Sequence, residues 1–275
     1  MKMDITFGQY CEGSSVLHRL DPRAKLIISI LYIVVLFLAK NVITFALLTL
    51  ATVGLVLMSR ISLRVVAGGL KPILFIALFT AVVNIFFIKG EVPLVDVWII
   101  KIYKEGLINA GLIVLRIVLL IVSTSMFLTY TTTPIALTDG LEQLLSPLAR
   151  LGVPVHDFSM MMTIALRFIP TLIEETNKIM NAQRARGADF SSGGLIKRAK
   201  AIIPIIIPLF VSAFRRAGDL ATAMECRCYT GGKGRTRMNV LRFGVRDVIF
   251  TVCIIALGAG VVLINAYAPG YSIRM

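Results

Sequence analysis

The sequence predicts an all-α membrane protein with about five transmembrane helices and a cytoplasmic helical domain of long crossing helices. Of its 275 residues, 57% are hydrophobic and only 16% are charged, against roughly 25% charged in soluble domains. Five apolar stretches approach or exceed the length of about 20 residues that crosses a bilayer. A long basic segment separates the fourth stretch from the fifth, and it is too long and too charged for a simple loop.

The apolar stretches divide the chain into four regions. A cytoplasmic N-terminal segment at 1–25 precedes four transmembrane helices within 26–129, which we place at 26–39, 42–58, 72–88 and 107–129. The cytoplasmic domain covers 130–246, and a fifth transmembrane helix with a tail covers 247–275. Only Lys40 and Asn41 separate the first two stretches, which favours a tight hairpin of two helices, with a single broken helix as the alternative.

Lysine and arginine placement sets the orientation. The chain carries 29 Lys and Arg against 15 Asp and Glu, a net charge of +14. Such a charge in a soluble protein would indicate nucleic acid. In a membrane protein it indicates cytoplasmic segments that face anionic lipid, so we expect no nucleic-acid partner. The first 23 residues lack the layout of a signal peptide, and we expect the N-terminus to be retained in the cytoplasm.

The basic segment at 130–246 predicts three helices. The first opens at Thr133-Pro134, runs to about Arg150 and stops at Gly152-Val153-Pro154. The second covers about 155–186, with apolar residues at three- and four-residue spacing and Gly187 directly after it. The third begins near Leu195 and ends near Tyr229. It contains Pro204 and Pro208, which must kink or break it.

Motifs for catalysis or metal binding are weak. The chain lacks the G-x-x-x-x-G-K-[ST] loop of nucleotide hydrolases, and the Gly231–Arg235 segment fits a solvated basic loop. His18 and His156 are far apart, and Cys226 and Cys228 have no second ligand pair. We therefore expect a protein that is not an enzyme and holds no metal or cofactor of its own.

Two polar residues, Asn84 and Arg116, fall within or near predicted spans. An intramembrane charge is a functional candidate by default, and Arg116 could form part of a substrate path. The alternative is a bond to a neighbouring helix or a side chain that reaches the membrane interface. We favour the structural role because no intramembrane acidic partner is evident, as an ion-driven transporter would need.

Two helix ends in the basic segment carry an arginine between small residues: Ala185-Arg186-Gly187 and Cys226-Arg227-Cys228. Each arginine could simply complement the negative end of its helix dipole. Together they indicate more, because arginine binds a carboxylate through two parallel hydrogen bonds and small neighbours allow another backbone to approach. A short turn between two long helices would hold these ends far apart. That geometry suits two separate partners or the two halves of a dimer.

Several strings resemble one family over nearly the whole chain. They are Leu17–Lys25 (LHRLDPRAK), Leu166–Pro170 (LRFIP), Ala185–Gly187 (ARG), Ser212–Arg216 (SAFRR) and Glu225–Tyr229 (ECRCY). In them the chain resembles the transmembrane T component of energy-coupling factor transporters, a branch of the ABC superfamily. That family usually has alanine where Cys226 stands here, which leaves a redox-sensitive contact open.

The resemblance implies a non-catalytic scaffold in the plasma membrane of a prokaryote. Two ABC ATPase subunits, identical or different, would bind ATP and dock on the cytoplasmic helices through Ala185, Arg186, Gly187, Cys226, Arg227 and Cys228. A small membrane-embedded S component would capture a vitamin or trace nutrient and pack against apolar residues of the same helices: Phe158, Met161, Met162, Ile205 and Phe210. The S component sets the substrate, so this chain does not name it.

Four other functions are weighed against this one. A conventional ABC permease would need a second copy with one coupling loop in each. A secondary transporter would be driven by an ion gradient, a membrane enzyme would need a catalytic constellation, and a lipid-binding scaffold would bind anionic liposomes but no ATPase. Two coupling helices in one chain favour the T component.

Overall fold

The computed structural model describes residues 10–11, 13–87, 93–97, 100–188, 190, 194–231 and 241–267. The chain divides into two compact units. We call the first, Met1–Gln143 with Leu241–Met275, the membrane unit, and the second, Leu144–Val240, the inserted unit. The membrane unit is thus discontinuous in sequence, and the inserted unit lies between its last two helices along the chain.

The described residues of the membrane unit form helices and one hairpin. They are α1 (Pro22–Leu38), α2 (Val42–Ser59), α3 (Leu63–Phe87), β1 (Pro93–Val97), β2 (Ile100–Tyr103), α4 (Lys104–Thr124) with a π-helical turn at Ser125–Tyr130, and α8 (Val245–Tyr267). Helix α5 (Pro134–Leu145) crosses the boundary between units. The inserted unit continues with a 3₁₀ turn (Ser146–Leu151), α6 (Val155–Ala185) and α7 (Leu195–Cys226).

The all-α membrane class is confirmed, with one small addition. Strands β1 and β2 form an antiparallel hairpin between α3 and α4, in which Asp96 pairs with Lys101. Within the described part of the chain, five helices are long and apolar enough to cross a membrane. Four of them are α2, α3, α4 with its π-helical turn, and α8 in the membrane unit.

The fifth such stretch is Lys200–Cys226 of α7, a helix that the sequence analysis assigns to the cytoplasmic domain. Helix α1, assigned there as the first span, has 17 residues. That is slightly under the usual span of about 20. By length and composition alone, α7 is therefore a candidate span and α1 is not, which is the reverse of the sequence assignment. Helix α1 is nevertheless central to the membrane unit, since Ile28, Tyr32 and Leu36 are fully buried.

Helices α1 and α2 are two separate helices joined by Ala39–Asn41. Asp21 caps the start of α1 by accepting a hydrogen bond from the Arg23 amide at 2.9 Å. Thr44 and Asn41 bond reciprocally at the start of α2, with the Thr44 hydroxyl 2.6 Å from the Asn41 carbonyl. The Tyr32 hydroxyl then joins the two helices by donating to the Leu48 carbonyl at 3.1 Å. This arrangement is a hairpin and not one broken helix.

The C-terminal end of α1 is held by side chains from two later helices. Arg116 of α4 donates to the Ala39 carbonyl at 2.7 Å, and Asn265 of α8 donates to the Leu38 carbonyl at the same distance. The last carbonyls of a helix lack partners within it, and in an apolar setting each needs one. Arg116 therefore has the structural role that the sequence analysis favours. Asn84 bonds the Thr80 carbonyl of its own helix at 2.8 Å.

Helices α1 and α8 also pack closely. A β-carbon at Gly258 of α8 would lie only 2.8 Å from a methyl group of Val35. Ile254 and Val261, one turn to either side, are buried in the same apolar core. The last helix of the chain is thus an integral part of the bundle that α1 begins.

Candidate functional site

Helices α6 and α7 of the inserted unit are long and continuous. They have 31 and 32 residues, about 45–50 Å each at 1.5 Å per residue. Helix α7 passes through Pro204 and Pro208 without interruption, so the predicted alternative of a break is excluded. The two prolines are four residues apart and share one face, which confines the missing backbone bonds to that face.

Helices α6 and α7 pack against each other and run antiparallel. Glu175 of α6 accepts hydrogen bonds from the Ser212 hydroxyl and, at 3.0 Å, from the Arg216 guanidinium of α7. Ile164, three turns earlier on α6, lines an apolar groove of about 280 Å³ with Met224, three turns later on α7. Moving forward along one helix therefore means moving backward along the other. Their C-terminal ends lie on opposite sides of the crossing, about 30 Å or more apart.

The Glu175 contact predicts a pH dependence of the helix pair. The Ser212 hydrogen bond and the Arg216 charge lower the pKa of Glu175 from its ordinary value of 4.5. A carboxylate whose pKa is lower in the folded than in the unfolded state stabilises the folded state. This stabilisation is complete above the unfolded-state pKa and is lost as the pH falls through the folded-state pKa. We expect the protection of the α6 and α7 amides against hydrogen exchange, measured relative to the intrinsic rate at each pH, to fall below pH 4.5. Glu175→Gln should show no such fall, and equal behaviour of both proteins would contradict the prediction.

Helix α6 ends in a Schellman motif built around Arg186. The Gly187 amide donates to the Arg184 carbonyl at 2.9 Å, and the Ala188 amide donates to the Gln183 carbonyl at 3.0 Å. Gly187 has a φ of 87°, a conformation that glycine adopts without strain. Arg186 is the capping residue and is exposed.

Helix α7 ends in the same motif around Arg227. The Cys228 amide donates to the Glu225 carbonyl at 2.8 Å, and the Tyr229 amide donates to the Met224 carbonyl at 3.0 Å. Cys228 takes the left-handed position with a φ of 54°, where α6 has glycine. Arg227 is the exposed capping residue. The two predicted sites therefore present an arginine in the same backbone setting.

The left-handed cysteine predicts a stabilising substitution. A side chain in this conformation costs roughly 1 kcal/mol relative to glycine. We expect Cys228→Gly to slow hydrogen exchange in the last turn of α7 about fivefold. The matched change Gly187→Ala meets no other atom within 4 Å, so backbone strain alone should accelerate exchange at the end of α6 by a similar factor. Unchanged exchange in both variants would show that the caps are not strained.

Exposure at the helix ends leaves the two arginines open to a partner. Neither Arg186 nor Arg227 forms a salt bridge with the residues that the structure describes. Arg184, close to Arg186 in sequence, instead lies over the Phe190 ring, with its guanidinium carbon 5.9 Å from the ring centre. At the tip of α6 the capping arginine is thus presented outward while its neighbour packs locally.

The apolar residues predicted to bind a second membrane protein fall into two groups. Phe158, Met161, Met162 and Phe210 are exposed, between 40% and 61% of their surface. Ile205 is only 7% exposed and does not belong to that surface. Sequence reasoning missed other exposed residues of α7, although the isoleucine run around the two prolines indicates them: Ile202, Ile203, Ile206, Ile207 and Phe214.

A buried polar network at the start of α1 was also missed. Lys25 is 1% exposed, and its ammonium donates to the Thr131 carbonyl at 2.7 Å and to the Thr132 hydroxyl at 3.1 Å. The carboxylates of Asp247 and Asp21 lie near enough to act on its charge. A buried ammonium is costly unless it is bonded and compensated, and both conditions hold here.

The same network fixes the chain where it returns for α8. One oxygen of Asp247 accepts from the Asp21 amide at 2.8 Å, and the other accepts from the Gly244 amide at 2.7 Å. Arg23 donates to the Leu241 carbonyl at 3.1 Å. The first turn of α1 thereby binds both the segment that leads out to the inserted unit and the segment that leads back from it.

Among the described residues, no group of three or more His, Cys, Asp or Glu side chains is placed to hold a metal ion. Cys226 and Cys228 are free thiols and exposed. Within the described part of the inserted unit, the features suited to recognition are the two arginine-capped ends and the apolar faces between them.

Comparison with known proteins matches this arrangement to one family. The family model described as cobalt transport protein (CbiQ) matches residues 13–238. A protein of Clostridium kluyveri named energy-coupling factor transporter transmembrane protein EcfT is 52% identical over 258 residues, covering 94% of this chain and 95% of the relative. Proteins with the same name in Ruminiclostridium cellulolyticum and Bacillus subtilis are 52% and 49% identical over 268 and 259 residues, covering 96% and 94% of this chain and 98% and 97% of the relatives.

These matches extend over nearly the full length and include both arginine-capped helix ends. The chain therefore belongs to the CbiQ family, among the transmembrane proteins of energy-coupling factor transporters.

Proposed function

We propose that this protein is the non-catalytic scaffold of an energy-coupling factor importer. It couples ATP hydrolysis by two cytoplasmic ABC ATPase subunits to the uptake of a vitamin or micronutrient through an S component. The observation that carries this proposal is the pair of arginine-capped helix ends, two copies of one backbone motif on opposite sides of a helix crossing. The ATP is bound by the ATPases, and the scaffold itself uses no cofactor.

Each helix end fits a groove with acidic groups on one ATPase. An exposed arginine at the C-cap projects from the tip of its helix, and the small residues beside it permit close backbone approach: Ala185 and Gly187 in one case, Cys226 and Cys228 in the other. A carboxylate in the groove then forms two parallel hydrogen bonds with the guanidinium. Two equivalent ends about 30 Å or more apart suit two equivalent or related subunits.

The exposed apolar face of α6 and α7 fits an S component. Phe158, Met161, Met162 and Phe210 are large and unburied, and methionine and aromatic side chains adapt to varied partner surfaces. The amphipathic character of α7, apolar enough at 200–226 to span a membrane yet bearing a basic end, suits a helix lying at the membrane interface. Such a helix meets both a membrane-embedded partner and a cytoplasmic one.

The helix crossing supports a mechanical role. Between the two ends, α7 presents Ala213, Ala217 and Ala221 to α6 at four-residue spacing. Small side chains let helices shift against each other with little steric resistance. ATP-driven closure of the two ATPases draws the arginine-capped ends together, and the relative motion of α6 and α7 reorients the S component to release substrate inward.

The experiment that tests this function is purification of the tagged protein from its own membranes in mild detergent, followed by mass spectrometry. We expect two ATPase chains and a small hydrophobic membrane protein to co-purify. Recovery of the chain alone, under conditions that keep other membrane complexes intact, would overturn the proposal.

A double variant separates the two partners. Phe158→Ser with Met161→Ser is expected to remove the small membrane protein from the purified complex and to abolish uptake, while both ATPases remain. The control is Leu151→Ser with Ile196→Ser. It removes two exposed apolar residues outside the proposed face, one just before α6 and one in the first turn of α7. Equal loss from both variants would mean that the effect is not specific to this face.

The orientation follows from lysine and arginine placement, with the N-terminus and the inserted unit in the cytoplasm of a prokaryotic cell. Labelling of single cysteines in intact cells tests it. Cys226 and Cys228 should be protected from a membrane-impermeant reagent, and a cysteine placed at Lys40 should react.

A further inference from the structure

Three arginines line one groove at one end of the membrane unit. Arg19, Arg60 and Arg246 line a cavity of about 750 Å³ together with Ser14 and Ser15. All three arginines are exposed. They come from three distant parts of the sequence, so the fold and not local sequence brings them together.

The groove lies at the level where membrane spans end. Arg60 directly follows α2, Arg246 lies in the first turn of α8, and Arg19 precedes the N-cap of α1 by two residues. Helices α2 and α8 are both long and apolar enough to cross a bilayer. Whichever side of the membrane this end faces, the guanidiniums stand at the depth of lipid headgroups.

The described residues that line the groove do not neutralise its charge. None of the described residues that line it is acidic. Asp247, the neighbour of Arg246, is 3% exposed and gives both carboxylate oxygens to the amides of Asp21 and Gly244. Three arginines that line one groove, with no carboxylate among its described lining residues, match a phosphate, which has several acceptor oxygens and a negative charge.

The other lining residues are apolar and exposed. Leu57 is 70% exposed, and Met58 and Val16 border the same cavity. A free phosphate gains nothing from such neighbours, whereas a phospholipid places acyl chains directly below its phosphate. We propose that the groove binds an anionic phospholipid, with its phosphodiester between the three arginines and its acyl chains along Leu57 and Met58.

The backbone of Arg60 supports a ligand role for this residue. It caps α2 in the left-handed conformation, with a φ of 57°. Glycine or asparagine is the usual residue in that position, because a longer side chain strains the backbone there. Residues with a strained backbone cluster at sites where their side chains bind a ligand or take part in a reaction.

The test uses the full-length protein in a neutral detergent and short-chain phosphatidylglycerol, phosphatidylcholine and inorganic phosphate as three separate probes. The groove variant combines Arg19→Gln, Arg60→Asn and Arg246→Gln, where asparagine preserves the left-handed cap. The control combines Lys40→Gln, Arg64→Gln and Lys71→Gln, which removes the same number of charges outside the cavity. Circular dichroism and gel filtration check that both variants keep the native fold.

We expect the wild-type protein to prefer phosphatidylglycerol over phosphatidylcholine, and the groove variant to lose about 100-fold in affinity for it, about fivefold for each arginine. The control should retain the preference. Equal losses of affinity in the groove variant and the control would mean that binding depends only on overall charge. Binding of inorganic phosphate as tightly as phosphatidylglycerol would mean that the groove binds free anions. Either result overturns the proposal, as does a wild-type protein without preference. If the groove variant unfolds, the single variant Arg60→Asn carries the same test with an expected loss of about fivefold.

Discussion

Replacing both Arg186 and Arg227 by glutamate is expected to abolish ATPase docking and substrate uptake. The change reverses charge at both helix tips, so each glutamate would face the acidic groove that the arginine is proposed to fill. Removing one partner of a buried, hydrogen-bonded charge pair commonly costs 2–5 kcal/mol. Two such losses with added repulsion should reduce the affinity by about 1,000-fold or more. Co-purification of the ATPases and uptake by whole cells measure the two effects.

Single variants and controls make this result specific. Arg186→Glu and Arg227→Glu alone should each weaken docking, and with two different ATPases each should release mainly one of them. Arg184→Glu and Arg215→Glu reverse the charge of exposed arginines on the same two helices and should leave docking within about fivefold of the wild type. Normal docking by the double variant would falsify the proposed contact, whereas equal loss in the controls would point to general electrostatic attraction.

The second large effect is expected at Lys25. Lys25→Met removes the buried ammonium that bonds Thr131 and Thr132 and leaves the carboxylates of Asp21 and Asp247 without its charge. Breaking a buried charged contact in this way typically costs 3–5 kcal/mol. We expect the thermal midpoint of the full-length protein in detergent to fall by about 10 °C. The exposed lysine variant Lys71→Met should lower it by less than about 2 °C.

A double-mutant cycle distinguishes electrostatic coupling from lost packing. If Lys25 compensates Asp247, then Lys25→Met with Asp247→Asn should be less destabilised than the sum of the two single variants. Additive effects would mean that the lysine stabilises the protein through its bonds to Thr131 and Thr132 alone. Uptake should decline in Lys25→Met even where both arginine-capped ends are intact, because the membrane unit is less stable.

Much of the fold was predictable because long apolar runs in the sequence indicate membrane helices. The apolar runs indicated α2, α4 and α8 to within a few residues at most ends. Helix α3 begins at Leu63, nine residues before the predicted start at Pro72. The prediction followed the apolar stretch after Lys71, whereas the helix also includes Arg64 and Lys71, and helix interiors in membranes tolerate proline.

The parts that the sequence did not indicate depend on context. Strands β1 and β2 are short, and a run of five or four residues carries little periodic signal. Helix α5 ends at Leu145, before the predicted Arg150, because Pro147 disfavours continuation and a 3₁₀ turn follows.

The candidate site shows the same division. Both arginines were found from local sequence, because a small residue after a charged one at a helix end is a local signal. That Cys228 adopts a glycine-like conformation was not predictable, since no residue preference indicates it. The bonds of Lys25 to residues more than 100 positions away depend on tertiary packing, which local patterns do not encode.

The discontinuity of the membrane unit has a consequence for biosynthesis. Helix α1 emerges from the ribosome first, yet its packing partner Gly258 and its capping partner Asn265 belong to α8, the last helix made. About 200 residues must be translated between the end of α1 at Leu38 and the start of α8 at Val245, which takes about 10–40 s at about 5–20 residues per second. Until α8 is made, the end of α1 lacks the Asn265 side chain, one of its two capping partners.

A nascent chain that stops before α8 therefore has an incomplete membrane bundle, in which Val35 of α1 lacks its close neighbour Gly258. A chain that completes the bundle has already made both arginine-capped ends. A chain truncated before α8 would carry both arginine-capped ends on an unstable membrane unit, and we expect it to be degraded faster than the full-length protein.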